Sequence, residues 1–418
     1  MTDKNSTGIR IQDLNAPVYS EMQQQVLAHM GQLLVTLTSA AVLAEAVEQT
    51  GLDDFGADDF KQRLDVWLQS VDEDTDLNNL GRYGIYNDCV RYASNRLKLE
   101  GLLKRHPEIL DIEIKKPIII AGLPRSGTTH LVNLIAADQR LRSMPYWESK
   151  EPIPIVGEAL GPNGEDPRYI RCRQGWETQD AVLPLLKNMH AMNPDHIHEE
   201  LEVENLDFSS YNLEWIARVP RWRDYYLAHD QTPHYEYIKK VLKALQWQRG
   251  PNRWILKSPQ HMEQLVPLHK TFPDATIVIT HRDPVSVITS TVTMLAYGDR
   301  MRRSRLDHNG LVEYWIDRIE KLLRSCVRDR DSLPAAQSLD VLFHEFMADD
   351  VATVERIYDL AGLPMTADAS QSLNDYMAAN PRGKHGQIIY DLQADFGFDP
   401  DEVRKRFAFY FERFPVQI

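Results

Sequence analysis

Basic residues are in deficit, cysteine is scarce, and no apolar run is long enough to cross a bilayer. The 418 residues carry 47 Lys and Arg against 61 Asp and Glu, a formal charge of −14. A surface built to lie along a phosphate backbone carries the opposite sign, which excludes nucleic acid as the main partner but leaves room for one basic pocket. The three cysteines, Cys89, Cys172 and Cys326, are far apart and lack CxxC spacing. That excludes a disulfide framework and a structural zinc site and leaves packed thiols. The N-terminal MTDKNSTGIRIQDLN has no basic stretch leading into an apolar one, so no secretory signal is read. The most apolar early stretch, 33–47, contains Glu45 and is too short to span a membrane. A cytoplasmic protein without membrane insertion is the expectation.

What is present divides at about residue 113. Residues 20–110 have apolar positions three and four apart, as in Leu64, Trp67, Leu68 and Val71, and read as an N-terminal helical layer, 1–112, that carries no chemistry. From Lys115 the texture changes. PIIIAGL at 117–123 reads as a buried parallel strand, and 128–137 has helical spacing. Further strands are expected at 254–257, 275–281 and 338–343, with helices over 260–272, from Pro284, and over 349–360. An aromatic-rich stretch, 170–250, reads as a helical insertion in a domain running 113–418. Alternating strands and helices predict an α/β, P-loop-like three-layer fold, with a mostly parallel central sheet flanked by helices and the helical layer added.

The most informative segment is Gly122-Leu-Pro-Arg-Ser-Gly-Thr-Thr129. A small-residue loop between a strand and a helix presents backbone N–H groups to an anion. Gly127 permits close approach, Ser126, Thr128 and Thr129 add hydroxyls, and Arg125 adds a fixed cation. The nucleotide triphosphatase loop, GxxxxGK and then Ser or Thr, has the same glycine spacing, but Thr128 stands where its lysine belongs. The loop suits a phosphate but not a metal-bound triphosphate. His281-Arg282-Asp283 imitates the kinase tripeptide, yet position 288 is isoleucine rather than the required asparagine.

Pro124-Arg-Ser-Gly-Thr-Thr129 resembles the 5′-phosphosulfate loop of sulfotransferases that use 3′-phosphoadenosine 5′-phosphosulfate (PAPS), in the arginine version of the tyrosylprotein enzymes. Two more segments extend the resemblance. Arg282, ending a strand, and Ser290, eight positions on, match the pair that holds the 3′-phosphate. Pro381-Arg-Gly-Lys-His-Gly386 is similar to the family's C-terminal basic segment, with Arg382, Gly383 and Lys384 in a different order. The helical layer looks like that of the bacterial-type group. The resemblance implies sulfonate transfer from PAPS to a hydroxyl, adenosine 3′,5′-bisphosphate as product and no metal.

Such a transfer needs a base and positive charge on the transferring oxygens. Arg125 and Lys257 are the electrostatic candidates; Lys257 matches a family lysine on the strand before the 3′-phosphate strand. For the base, Glu148, 23 residues after Arg125 in Pro-Tyr-Trp-Glu, ranks first, because tyrosylprotein-type enzymes place a glutamate at similar separation. His261 is the rival. Cytosolic members keep a histidine two residues after the lysine, where this chain has Pro259. His190, His196 and His198 follow, and DHIHEE at 195–200 lacks a metal-ligand framework. The competing classes are a nucleotide-dependent kinase or triphosphatase and a non-catalytic nucleotide-binding module. The aromatic insertion leans towards a lipophilic alcohol or phenol as the small-molecule acceptor. A homo-oligomer is compatible with the sequence.

Overall fold

The computed structural model describes residues 8–381, 384 and 386–418. Five parallel strands form one sheet: β1 (Ile118–Gly122), β2 (Leu141–Arg142), β3 (Arg253–Ser258), β4 (Thr276–His281) and β5 (Ser338–Leu342), in the order β2-β3-β1-β4-β5. In register, Ile118 lies beside Ile255 on one flank and Thr276 on the other. Side chains of a strand alternate faces, so a central strand covered on both sides must be apolar throughout. Every residue of β1 is buried. Ile118 and Ile120 join Val278, Val132 and Ile357 in one core, while Ile119 and Ala121 join Leu256, Val241 and Ile319 in another. The expected strands are therefore found. The two-residue β2 was not expected: too short to show a period, it exists because Leu141 pairs with Arg253.

The stretch expected as one helix over 260–272 is two pieces, a 3₁₀ turn at Pro259–Glu263 and a helix at Leu265–Thr271, broken at Gln264. Pro267 explains the break. Inside a continuous helix its ring would collide with the Glu263 carbonyl and leave it unbonded; in the first turn of a new helix the missing N–H costs nothing.

The first 112 residues do not stand apart from the sheet. The 27-residue helix Asn79–Arg105 puts Leu99, Leu102 and Leu103 into the core over β1. Further towards its N-terminus, Ile85, Val90 and Tyr92 pack with Trp67, Trp222 and Tyr226 in a separate core. All three cysteines are buried free thiols, and burial pushes Cys172 up to about 11. Among the described residues, no helix is long and apolar enough to cross a membrane.

One buried charge cluster ties these layers together. Arg318 is wholly enclosed, with Nε donating to Glu214 at 2.5 Å and both terminal nitrogens to Glu263 at 2.6 Å. Removing one member of such a cluster strands the others in a poorly solvating interior. Arg318→Ala is expected to lower unfolding free energy in urea by about 3–5 kcal/mol; a loss below about 1 kcal/mol would show that water reaches the two carboxylates.

Candidate functional site

The loop after β1 turns sharply because two of its residues take left-handed backbone angles, Arg125 at φ 64° and Gly127 at φ 83°. At Gly127 a Cβ would also sit 3.2 Å from the Phe343 ring, and at Gly122 a Cβ would lie 1.9 Å from Thr280 Oγ1. Both glycines let the loop settle onto neighbouring strand ends. The helix Thr128–Ala136 starts directly at Gly127 with no side-chain cap, so its first-turn N–H groups are left for another acceptor. The Ser126 hydroxyl is not among the donors facing outwards. It is buried against the Leu123 carbonyl at 2.5 Å and Thr280 Oγ1 at 2.9 Å.

A non-glycine residue in this conformation is strained and persists only if its surroundings hold it. Three contacts hold Arg125. Its Nε donates to Ser290 Oγ at 2.7 Å, a terminal nitrogen donates to the Tyr390 hydroxyl at 3.2 Å, and its carbonyl accepts from the Arg282 guanidinium. The loop, the end of β4 and the helix Pro284–Arg302 thus meet at one place, as expected for Arg125, Arg282 and Ser290. Arg282 also lies 4.1 Å over the Phe343 ring. Burial first, and then the Arg125 guanidinium, pull the Arg282 pKa below its usual value. Among the described residues, no carboxylate lies within ion-pair distance of either arginine.

Lys257, near the end of β3, extends its ammonium to the Thr129 hydroxyl at 3.3 Å and into contact with the Glu199 carboxylate. Both ends of this arrangement open onto one cleft of about 690 Å³, whose walls include Arg125, Thr129, Glu199, His190 and Arg282. A smaller cleft of about 490 Å³ shares Arg282 and Phe343 with it and is closed on its far side by Val416 and Ile418.

Neither of the first two base candidates reaches the cleft. Glu148 is buried between two arginines: Arg142 donates to its two oxygens at 2.9 and 3.1 Å, and Arg249 donates to both at 2.8 Å. Every strong hydrogen-bonding position of the carboxylate is filled, and its work is to neutralise Arg142, which is fully enclosed under Trp254. Trp147, next to Glu148 in the chain, lies against the Arg168 guanidinium. His261 has both ring nitrogens occupied, by Glu200 at 3.1 Å and the Tyr235 hydroxyl at 2.9 Å. Arg382 and Gly383 lie outside the described residues. Lys384 is exposed and donates to the Ala379 carbonyl at 3.1 Å, so it is not brought to the cleft.

The cleft is lined instead by the lower-ranked part of the chain. His190 and His198 both face it. Burial holds each well below the ordinary histidine value, helped by the Arg125 guanidinium for His190 and by the Lys257 ammonium for His198. His196 is lowered to about 4, by burial and then by Lys257. Sequence reading missed Glu199 as a site residue although it adjoins His198. It also missed Asp88, Arg91 and Lys150 in the cleft wall and Tyr390 against Arg125. Nothing in the spacing of Asp88 and Arg91 sets them apart from an ordinary surface pair on a helix.

A parallel α/β sheet with an uncapped helix N-terminus, two unneutralised arginines and a buried lysine at its strand ends defines a group-transfer enzyme for a phosphate-bearing nucleotide. The Sulfotransferase family model matches residues 117–367, more than half of the chain. Two solved structures are similar over nearly their whole length. The sulfotransferase STF9 of Mycobacterium avium is 24% identical with a TM-score of 0.81, covering 93% of this chain and 99% of that one. The sulfotransferase STF1 of Mycobacterium tuberculosis H37Rv is 28% identical with a TM-score of 0.78, covering 89% and 98%. No curated protein matches. The chain belongs to the sulfotransferase family and transfers a sulfonate group from PAPS to an acceptor hydroxyl. The kinase, triphosphatase and non-catalytic readings give way to this one.

The new position of Glu148 has a consequence. Glu148→Gln is expected to reduce stability, because the buried Arg142 loses its carboxylate partner, and to leave kcat within about twofold, since base removal would cost about 100-fold or more. Denaturation and steady-state assays on the same preparation check this; unchanged stability with collapsed kcat would return Glu148 to the role of base.

Proposed function

We propose that the loop 124–129, Lys257, Arg125, Arg282 and Ser290 hold PAPS, and that Glu199 takes the proton of the acceptor hydroxyl. The carrying observation is the Lys257 ammonium, lodged between the Thr129 hydroxyl and the Glu199 carboxylate. It is the one described side chain that touches both the donor loop and a carboxylate open to the cleft. The donor set fits the ligand. Free helix N–H groups and Lys257 suit the phosphosulfate end, while Arg125, Arg282 and Ser290 form a cationic seat for the 3′-phosphate. The wall shared by the two clefts supports the nucleoside extending past Arg282 and Phe343.

The chemistry of the residues follows. PAPS supplies an activated sulfonate. Lys257 and the loop amides stabilise charge on the transferring oxygens and on the departing phosphate. As the acceptor oxygen bonds to sulfur and the sulfur–oxygen bond to the phosphate breaks, Glu199 receives the hydroxyl proton. Its contact with Lys257 holds the carboxylate beside the donor loop. His190 and His198, held neutral, act as uncharged hydrogen-bonding walls that do not compete with the cations for the donor. The acceptor is a small hydroxyl-bearing molecule with a substantial apolar part, a reading supported by Leu186, Trp215 and Met294 in the cleft wall.

Arg282→Ala is expected to weaken adenosine 3′,5′-bisphosphate by about 10- to 150-fold in calorimetry, the equivalent of a charge-assisted hydrogen bond of about 1.5–3 kcal/mol. Equal affinity would contradict the seat. Glu199→Gln is expected to lower kcat about 100-fold or more, with nucleotide affinity little changed. Near-normal turnover in Glu199→Gln together with its loss in His198→Asn would transfer the role to His198.

A further inference from the structure

The larger cleft has two unlike walls. One is apolar, with Leu183, Leu186, Met192, Met294, Leu295 and Met301. The other carries Asp88, Arg91, Lys150 and Glu202. Two of these four, Asp88 and Arg91, come from the helix Asn79–Arg105 and precede the family-matched segment, which starts at residue 117. Arg91 donates to Glu202 Oε2 at 2.9 Å and to Asp88 Oδ1 at 3.0 Å. The Lys150 carbonyl accepts from Asn95 at 2.7 Å and from Arg91 at 3.3 Å, which fixes the Lys150 backbone against the same helix.

A purely structural ion cluster would satisfy its members, and this one does not. Among the described residues the Lys150 ammonium has no hydrogen-bond acceptor and no ion-pair partner; it stands 5.5 Å from the Tyr146 ring. Among the described residues, the second oxygens of Asp88 and Glu202 likewise accept no hydrogen bond. Covering these charges with hydrocarbon would withdraw them from water at a cost of several kcal/mol each, so a wall meant only for hydrocarbon would be more stable if apolar. A free donor beside free acceptors is the complement of hydroxyl groups, each of which both donates and accepts. Charge balance narrows the choice: two cations and two anions leave no net attraction for an ionic ligand. The wall is also continuous with the reacting end. His198 packs edge-on to Tyr146 at 4.6 Å, the Lys150 ammonium lies over the same ring, and Glu199 follows His198 in the chain.

We propose that this wall is a subsite for an uncharged polyhydroxylated head group, so that the acceptor is an amphiphile whose attacked hydroxyl belongs to that head while its apolar body lies on the opposite wall. The inference rests on the donor and acceptor ends assigned above. A head group lacking hydroxyls would leave the quartet desolvated and unpaired, a penalty that sites of this kind convert into strong discrimination.

The test uses three probes of equal alkyl length, octyl glucoside below its micellar concentration, 1-octanol and 2-hydroxyoctanoate, with the full chain. Binding is read by calorimetry on protein saturated with adenosine 3′,5′-bisphosphate, and sulfonation is read with labelled PAPS. Octyl glucoside is expected to exceed the other two by about tenfold or more in affinity and in kcat/KM. Lys150→Met and Glu202→Gln are each expected to shrink that advantage to about threefold or less, chiefly through KM. Thermal melting and affinity for adenosine 3′,5′-bisphosphate serve as controls for folding and for the donor end. Equal use of 1-octanol, preference for the carboxylate, no binding of octyl glucoside, or an advantage that survives both substitutions overturns the subsite while leaving the donor site standing. Failure of the wild-type chain to bind adenosine 3′,5′-bisphosphate overturns the donor site, and the subsite with it.

Discussion

Two guanidinium groups, Arg125 and Arg282, are held together at the carboxyl ends of adjacent strands with no described carboxylate between them, and much of the molecule is arranged around that juxtaposition. Like charges this near repel, so other groups must impose the arrangement. The strained backbone at Arg125 directs its carbonyl towards Arg282 and its side chain towards Ser290. The buried His281, next in sequence to Arg282, is bonded to Asp340 and the Tyr410 hydroxyl at 2.8 Å each and stacked on Phe414. The end of β4 is therefore braced by both β5 and the C-terminal helix. In the donor site proposed above, a doubly phosphorylated ligand would supply the missing negative charge, and a cationic site fixed in advance stabilises such charge at low cost.

The acidic balance of the whole chain fits this picture. Most cations are neutralised by specific carboxylates: Arg318 by Glu214 and Glu263, Arg96 by Asp207, Arg142 by Glu148, Arg303 by Asp74 and Asp299. Arg125 and Arg282, where the donor loop and β4 meet, differ in having no described carboxylate within ion-pair distance. Lys257 marks the boundary between that region and the acceptor side, with the donor loop on one hand and Glu199 on the other. Beyond it the cleft passes into walls supplied by the N-terminal helical layer. That layer is more than scaffolding: the helix Asn79–Arg105 joins the two cores and carries Asp88 and Arg91 into the cleft.

The sheet was legible because its strands are buried on both faces and therefore read as unbroken apolar runs, Ile118–Ile120 above all. The donor loop was legible because a phosphate-binding turn needs particular small residues at consecutive positions. Arg282 and Ser290 were legible through their resemblance to the family's pair, at a separation that a strand end and the following helix can accommodate. Where the signal depended on partners distant in sequence, reading failed. β2 has no pattern of its own, and the broken helix at Gln264 was hidden because apolar spacing continues across Pro267.

The base shows the same division most clearly. A glutamate 23 residues after Arg125 and a histidine four after Lys257 carried the right chemistry at plausible separations. Whether a carboxylate or imidazole is free to take a proton depends on who occupies its lone pairs. For Glu148 the occupants come from 101 residues downstream as well as from nearby Arg142, and for His261 from 61 residues upstream. The sequence alone determined the parallel sheet, the tight small-residue turn after β1 and the placing of Arg125 and Arg282 at neighbouring strand ends, because each is written in a short stretch of chain. Only the tertiary structure decided which acid faces the cleft and what lines the acceptor wall, because those are properties of side chains brought together from segments that carry no local mark of one another.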